Sequence, residues 1–371
     1  MSSGGSFDDL ALDYIVLGAG AVVHEYYVPA LTQIGRIKNT WIFDPNPESV
    51  AALKKSFPDI RCEEGDPTHI LSTARPHSEM RRSALIVVSP NITHKFLAAR
   101  GLEDGFNVLC EKPLALTTKD CSELKNLAES FPRKLKVAMS RRYLPSLMLA
   151  RDIIASGEYG PVKSIGVHDC TPFLWRPRSF SFFSSDAGGV LADMGVHYLD
   201  YLDTIVGPLE PVSYQDDARG GNESSLKYNL RAGPVMIEMR LSRIHQTGAY
   251  IDIICARGNI LIDKSCENKI VVTPSGRPAR NIAVDHPFDN PAWPANFHGS
   301  FCQMISDFER AVADQPSCIA DATDAERTTA LIEWAYSCRN GQGVVPRRSL
   351  PLQKGCQKDL VTGGTGFIGG H

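Results

Sequence analysis

The chain has 371 residues, 43% of them hydrophobic and 22% charged, and a formal net charge of −3. That length suits two domains or one elaborate one, in an ordinary soluble globular balance. So small a net charge gives no global pull toward nucleic acid or an acidic membrane, and no run reaches the ~20 apolar residues of a spanning helix.

Residues 1–12 read as a flexible start, polar and acidic, without the basic and apolar regions of a signal peptide. The ten cysteines form no CxxC pair and no Cys/His ligand spacing. A disulfide scaffold and a zinc site are therefore poor readings; no metal is expected, and reduced thiols in a cytoplasm are.

Residues 13–140 alternate short apolar runs with helix-like segments. "DYIVLGAG" is a strand entering a glycine turn, "EYYVPALTQIG" a helix, "TWIFDPNP" a strand ending in acid and proline, and "PESVAALKKSF" a helix. "SALIVVSPN", "FNVLCEKP" and "KLKVAMS" continue the strands, with helices at "HKFLAARGLEDG" and "TKDCSELKNLAESF". Near-continuous apolar strands in βαβ order predict a parallel sheet covered on both faces. In the first glycine turn, Gly18 permits the bend. Gly20, with Ala21 and Val22 opening the helix, brings backbone N–H groups toward a pyrophosphate. Val23 stands where a third glycine is usual. Asp44, ending the second strand, is placed to hold ribose hydroxyls and oppose a 2′-phosphate, which favours NAD over NADP. A structural βα turn with a surface aspartate is the alternative.

Two further clusters end strands. Pro90 and Asn91 fall at the ligand-facing edge of such a sheet, with His94 just beyond, and all three are cofactor-binding candidates; taken alone, His94 reads as a helix-start residue. Glu111 and Lys112 form a charged pair expected to be exposed in the crevice, and Pro113 biases Lys112 away from helix. A surface Lys-Pro turn is the plain alternative.

Residues 141–345 have a different texture. After the helix "LPSLMLARDIIASG" comes "DAGGVLADMGVHYLDYLDTIVG", where Asp193, His197 and Asp200 share one face of a regular helix. A carboxylate one turn from an imidazole orients it and shifts its pKa, giving a proton donor or acceptor near neutrality. A structural Asp-His pair fits equally well, while a metal site lacks a third ligand. Strands follow with period-two alternation: in "PVMIEMRLS", Val235, Ile237, Met239 and Leu241 share one face and Glu238 and Arg240 the other. A mainly antiparallel, open sheet is predicted, closed by helices "HGSFCQMISDFERAVAD" and "ATDAERTTALIEWAYSCRN".

Taken in order, "GAGAVVHEYYVPAL", "SPNITHKFLAARGLEDGFNVLCEKPLALT", "RRYLPS" with "IIASGEYGPVKSI", and "GGVLADMGVHYLDYL" resemble the glucose–fructose oxidoreductase, inositol dehydrogenase and MocA family of nicotinamide-dependent oxidoreductases. The resemblance covers about residues 13 to 345. It implies an α/β chain: a Rossmann doubly wound parallel sheet followed by an α/β domain with a large, mainly antiparallel open sheet that buries one face in a dimer or tetramer. By the matching positions, Lys112 contacts the nicotinamide ribose and the reacting hydroxyl, Asp193 polarises substrate, and His197 is the acid/base. Glu111, Asn91 and Arg142 line the cofactor or substrate cleft. Tyr27 stands where a histidine is common, and Val23 leaves the pyrophosphate grip altered. The implied reaction moves hydride between NAD and a secondary alcohol or ketone of a sugar. Trp175 and Arg176, in the loop "TPFLWRPRSFSFFSSD", are substrate candidates. A catalytically silent NAD-binding regulator on the same fold is the rival; it would not need Lys112, Asp193 and His197 together.

Residues 346–371 read as a Pro- and Lys-containing linker and then "LVTGGTGFIGGH". Thr362, Gly363, Gly366 and Gly369 match the start of the extended short-chain dehydrogenases, the nucleotide-sugar epimerases and dehydratases. The expectation is a bifunctional protein continuing past His371, with a nucleotide-activated sugar as substrate.

Overall fold

A computed structural model describes residues 12–73, 83–172, 188–263, 269–284, 288 and 297–339. The tail motif and the candidates Trp175 and Arg176 lie outside them. The described residues divide into two compact units: one runs to Met148 and takes in Val284–Thr329, the other runs from Leu149 to Ala283 and resumes at Ala330.

The first unit is built on strands β1 (Asp13–Leu17), β2 (Thr40–Asp44), β3 (Cys62–Glu64), β4 (Ser83–Val87), β5 (Asn107–Glu111) and β6 (Leu135–Ala138). They lie parallel in the order 6-5-4-1-2-3. Every residue of β4 and β5 is buried, as expected of strands covered on both faces. Helices 47–56 and 118–129 begin where polar side chains take an orphan amide: Asn46 accepts from Glu48 N and Thr117 from Asp120 N. A short strand late in the chain, Ala320–Asp321, adds antiparallel to β6. It escaped the sequence reading, as did β3, because two- and three-residue strands carry no period.

The late helix Phe297–Val312 belongs to this unit and packs on the helix that follows the glycine turn. Glu309, buried on the late helix, ties it to β1 and to the turn before β2: it accepts from Tyr14 Oη at 2.8 Å and from Arg36 Nε at 2.8 Å. Phe301 meets Tyr26 stacked and Tyr27 edge-on, with ring centroids 5.1 Å apart in both cases.

The second unit carries an eight-stranded sheet of β7 (Val162–Cys170), β8 (Glu210–Asp216), β9 (Ser225–Ala232), β10 (Val235–Ser242), β11 (Gly248–Cys255), β12 (Gly258–Asp263), β13 (Lys269–Pro274) and β14 (Arg280–Ala283). The spatial order is 14-13-12-11-7-10-9-8. Every pairing is antiparallel except β7 with β10, whose intervening chain holds the helix of Asp193 and His197. A parallel pair needs such a crossover. Val235, Ile237, Met239 and Leu241 are buried, as the alternation predicted, while on the other face Arg240 is exposed and Glu238 half-buried.

Candidate active site

The parallel sheet brings three sequence motifs to its carboxyl edge, where ligands of doubly wound folds bind. The glycine turn follows β1, Pro90 follows β4, and Lys112 follows β5. Gly18 has φ +120°, and a Cβ there would stand 2.4 Å from the Val88 carbonyl oxygen, so only glycine fits. Around Gly20, by contrast, an added Cβ meets nothing within 4 Å, leaving the helix entry open to a pyrophosphate. The helix then takes a π turn over Val23–Tyr27 before its α-helical part, Val28–Gln33. Pro29 lacks an N–H and its ring would crowd the carbonyl four residues back, which a widened turn relieves. Val23, in the third-glycine place, is a fully buried core residue of that turn. Ala21 is buried beside it and Val22 packs partly buried on the same core.

Asp44 ends β2 half-buried. Its Oδ2 accepts from Ala19 N at 2.6 Å and its Oδ1 from Asn46 N at 2.8 Å. A carboxylate oxygen has room for a second donor, so Asp44 can still take a ribose hydroxyl. Its charge opposes a 2′-phosphate. The open helix entry and this anchored acid fit a dinucleotide without a 2′-phosphate.

Three expectations change on inspection. Glu111 is not exposed: it is buried, accepting from Tyr27 Oη at 2.8 Å and from Lys112 N at 3.1 Å. Burial pushes its pKa up, against the pull of Lys112 and the Tyr27 hydrogen bond. His94, on the helix Asn91–Glu103, is buried, with Nδ1 2.7 Å from the Pro113 carbonyl oxygen and Nε2 2.8 Å from that of Ser89. Both nitrogens thus face backbone carbonyls, only one of them as donor while the ring is neutral, and His94 braces the Lys112 turn where a cofactor contact was expected. Burial lowers its pKa, while the two carbonyls pull it up. Arg142 is likewise committed: its Nη1 donates to the Cys318 carbonyl at 2.9 Å and its Nη2 lies 3.0 Å from Asp324. Asn91 opens its helix half-buried, next to Pro90. Lys112 is half-buried, and its peptide to Pro113 is cis.

In the second unit the helix expected as one regular element is two. A π turn spans Leu191–Gly195 and an α-helix Val196–Val206. Asp193 therefore sits on the widened turn, 29% exposed at its side chain, while His197 and Asp200 are buried on the α-helical part. Single π turns recur at functional sites because they re-aim side chains. Asp193 Oδ2 lies 3.8 Å from Arg243 Nη2 at the end of β10, a residue that sequence reading passed over. Tyr198, one residue past His197, donates to the fully buried Asp169 at 2.6 Å and ties the helix to β7.

A dinucleotide-type glycine turn on a Rossmann sheet, followed by a second unit with an Asp/His helix and an open sheet, defines a nicotinamide-dependent class of oxidoreductase. Residues 12–139 match the family described as "Oxidoreductase family, NAD-binding Rossmann fold", and residues 147–260 match the GFO/IDH/MocA C-terminal domain. The chain belongs to this GFO/IDH/MocA family. It is similar to glucose-6-phosphate 3-dehydrogenase of Bacillus subtilis, 28% identical over 191 residues, or 50% of this chain and 51% of that protein. It is also similar to levoglucosan dehydrogenase of Pseudarthrobacter phenanthrenivorans, 29% identical over 131 residues and 34% of each chain. The chain thus matches about half or less of these relatives' length. Among solved structures, levoglucosan dehydrogenase in complex with NADH and levoglucosan superposes with a TM-score of 0.75 at 17% identity, over 90% of this chain and 98% of the other. The WlbA dehydrogenase from Bordetella pertussis, in complex with NADH and UDP-GlcNAcA, gives 0.69 at 20% identity, over 88% and 95%. At these identities the likeness is one of fold. No helix among the described residues is long and apolar enough to cross a membrane.

Proposed function

We propose that the chain is an NAD-dependent dehydrogenase of a secondary alcohol on a sugar, and in reverse a ketoreductase. The observation that carries the reading is the convergence of the glycine turn, the anchored Asp44 and the Lys112 turn on one carboxyl edge of the parallel sheet. Gly18, Gly20, Ala21, Val22, Asp44, Pro90 and Asn91 would hold NAD, which supplies a hydride acceptor when bound. The chain's own residues manage the proton. Lys112 donates to the substrate oxygen as charge develops on it, Asp193 orients the hydroxyl, and His197 takes the hydroxyl proton. The C–H pair leaves as hydride, the O–H proton goes to His197, and a ketone remains.

Two finer readings belong with this proposal. The substrate is a nucleotide-activated sugar, supported by the UDP-GlcNAcA bound in one structural neighbour and by the epimerase-like motif at residues 362–369, which would pair the dehydrogenase with an epimerase or dehydratase. The chain self-associates through the open face of its second sheet, where Met236, Tyr250 and Ile254 are exposed. The test is absorbance of NADH with glucose 6-phosphate, levoglucosan and UDP-GlcNAcA in parallel. Fastest turnover of UDP-GlcNAcA supports the nucleotide-sugar reading, and turnover only of the unlinked sugars removes it. A monomer by light scattering removes the association.

A further inference from the structure

We propose that Glu223 is a positioning residue: it clamps the turn that carries Asp193 together with the strand end that carries Arg243. The inference rests on the reading that Asp193 and His197 act on substrate. Glu223 stands between β8 and β9, and its side chain is fully buried. Its backbone carbonyl accepts from Val190 N at 3.1 Å. Its Oε1 accepts from Leu191 N at 2.8 Å and from Tyr336 Oη at 2.9 Å, and its Oε2 from Arg339 Nη2 at 2.5 Å.

The physical logic begins at the helix entry. The first amides of a helix have no partner within it, and a carboxylate there is favoured by the helix dipole. No residue just before Val190 supplies one, since Gly188 and Gly189 have no side chains. Glu223 supplies it from 32 residues away. The double glycine is the counterpart of this device: a Cβ on Gly189 would stand 2.2 Å from Glu223 Oε2 and 2.4 Å from its carbonyl oxygen. Gly188 takes φ +77°, where a Cβ would stand 2.5 Å from that of Ala192. Asp193 N in turn donates to Gly189 O at 3.0 Å, so any shift of Gly189 is passed to Asp193.

The next residue holds the other side. Ser224 O accepts from Arg243 N at 2.9 Å, and Arg243 is the cation beside Asp193. Asp217 fixes this segment by accepting from Ser224 N at 2.8 Å and Ser225 N at 2.9 Å. Behind the carboxylate, Arg339 also meets Asp216 at 2.6 Å and lies 4.1 Å over the Tyr336 ring. A buried ion pair of this kind adds little stability over an apolar plug. What it adds is direction, because the carboxylate fixes where the Leu191 amide must lie and the backbone carbonyl of the same residue fixes that of Val190.

The test uses the full chain with the fastest of the three sugars above, in Glu223→Ala, Glu223→Gln and Tyr336→Phe. Glu223→Ala is expected to lower kcat by about 10- to 100-fold, since misplacement of about an ångström costs that much. It should also shift the pH profile of kcat and speed amide exchange at residues 190–193, with NADH affinity unchanged because Glu223 and its partners all lie in the second unit. Glu223→Gln, keeping one acceptor, should recover most of kcat. Wild-type kcat, pH profile and exchange in Glu223→Ala overturn the inference. If that variant does not fold, Tyr336→Phe decides: faster exchange at 190–193 with reduced kcat supports the clamp, and no change in either overturns it. If the unaltered protein turns over none of the sugars, the functional reading fails, and the clamp stands or falls on amide exchange alone.

Discussion

Tyr27 donates its hydroxyl to Glu111 across 2.8 Å, and both residues are buried. The bond links the π turn of the glycine-turn helix to the strand end that presents Lys112. Tyr27→Phe keeps the ring against Phe301 but leaves a buried carboxylate oxygen short of its donor, which costs ~1–3 kcal/mol. Urea unfolding should show a loss of that size, with weakened turnover. An unchanged midpoint would mean that Glu111 finds another donor.

Glu111 itself sets a pH dependence. Burial, opposed by Lys112 and Tyr27, raises its folded pKa above that of an ordinary glutamate. The folded state therefore favours the protonated form. Its contribution to stability is full below the unfolded pKa of ~4.3 and is lost as pH rises through the folded value. Glu111→Gln should then stabilise the fold relative to the wild type by an amount that grows from about pH 4 upward and levels off above the folded pKa. Denaturant midpoints across pH 4–8 check it. A difference that shrinks with rising pH would contradict the assignment.

Asp44 does two jobs that separate by mutation. Asp44→Asn keeps an acceptor for Ala19 N and removes the charge, so the preference for NAD over NADP should fall by about tenfold, ~1.4 kcal/mol. Asp44→Ala also frees the Ala19 amide and should weaken NAD binding further. Fluorescence titration with NADH and NADPH distinguishes them. Equal ratios in Asp44→Asn and wild type would show that the charge does not face the ribose.

Gly189→Ala places a methyl carbon against Glu223 from two sides. Neither contact is the loose end of a surface side chain, so the helix entry must move. Loss of ~1–3 kcal/mol is expected, the scale of overpacking. A wild-type thermal midpoint would show that the turn is softer than its hydrogen bonds imply.

How far the sequence reaches follows from where its signals lie. Gly18, Gly20 and Asp44 were legible because a βα turn and the next strand end are local in the chain. The alternation of β10 was legible because one face of its sheet is buried. Arg243 and Glu223 were not: their partners come from residues 193, 190–191 and 336–339, and no local pattern announces such contacts. Arg142 and His94 misled for the opposite reason. Each stands beside a motif, but its polar atoms turn to backbone or to Asp324. The π turns at Val23–Tyr27 and Leu191–Gly195 also left no mark, because a hydrophobic period of 3.6 barely registers one inserted residue.

The central claim is hydride transfer served by Lys112 and His197. NADH absorbance should appear when the full chain meets NAD and one of the three sugars named above. Lys112→Ala and His197→Ala should each lower kcat/KM by about 10²- to 10⁴-fold, with NADH binding to His197→Ala unchanged. Turnover intact in both variants would contradict the account.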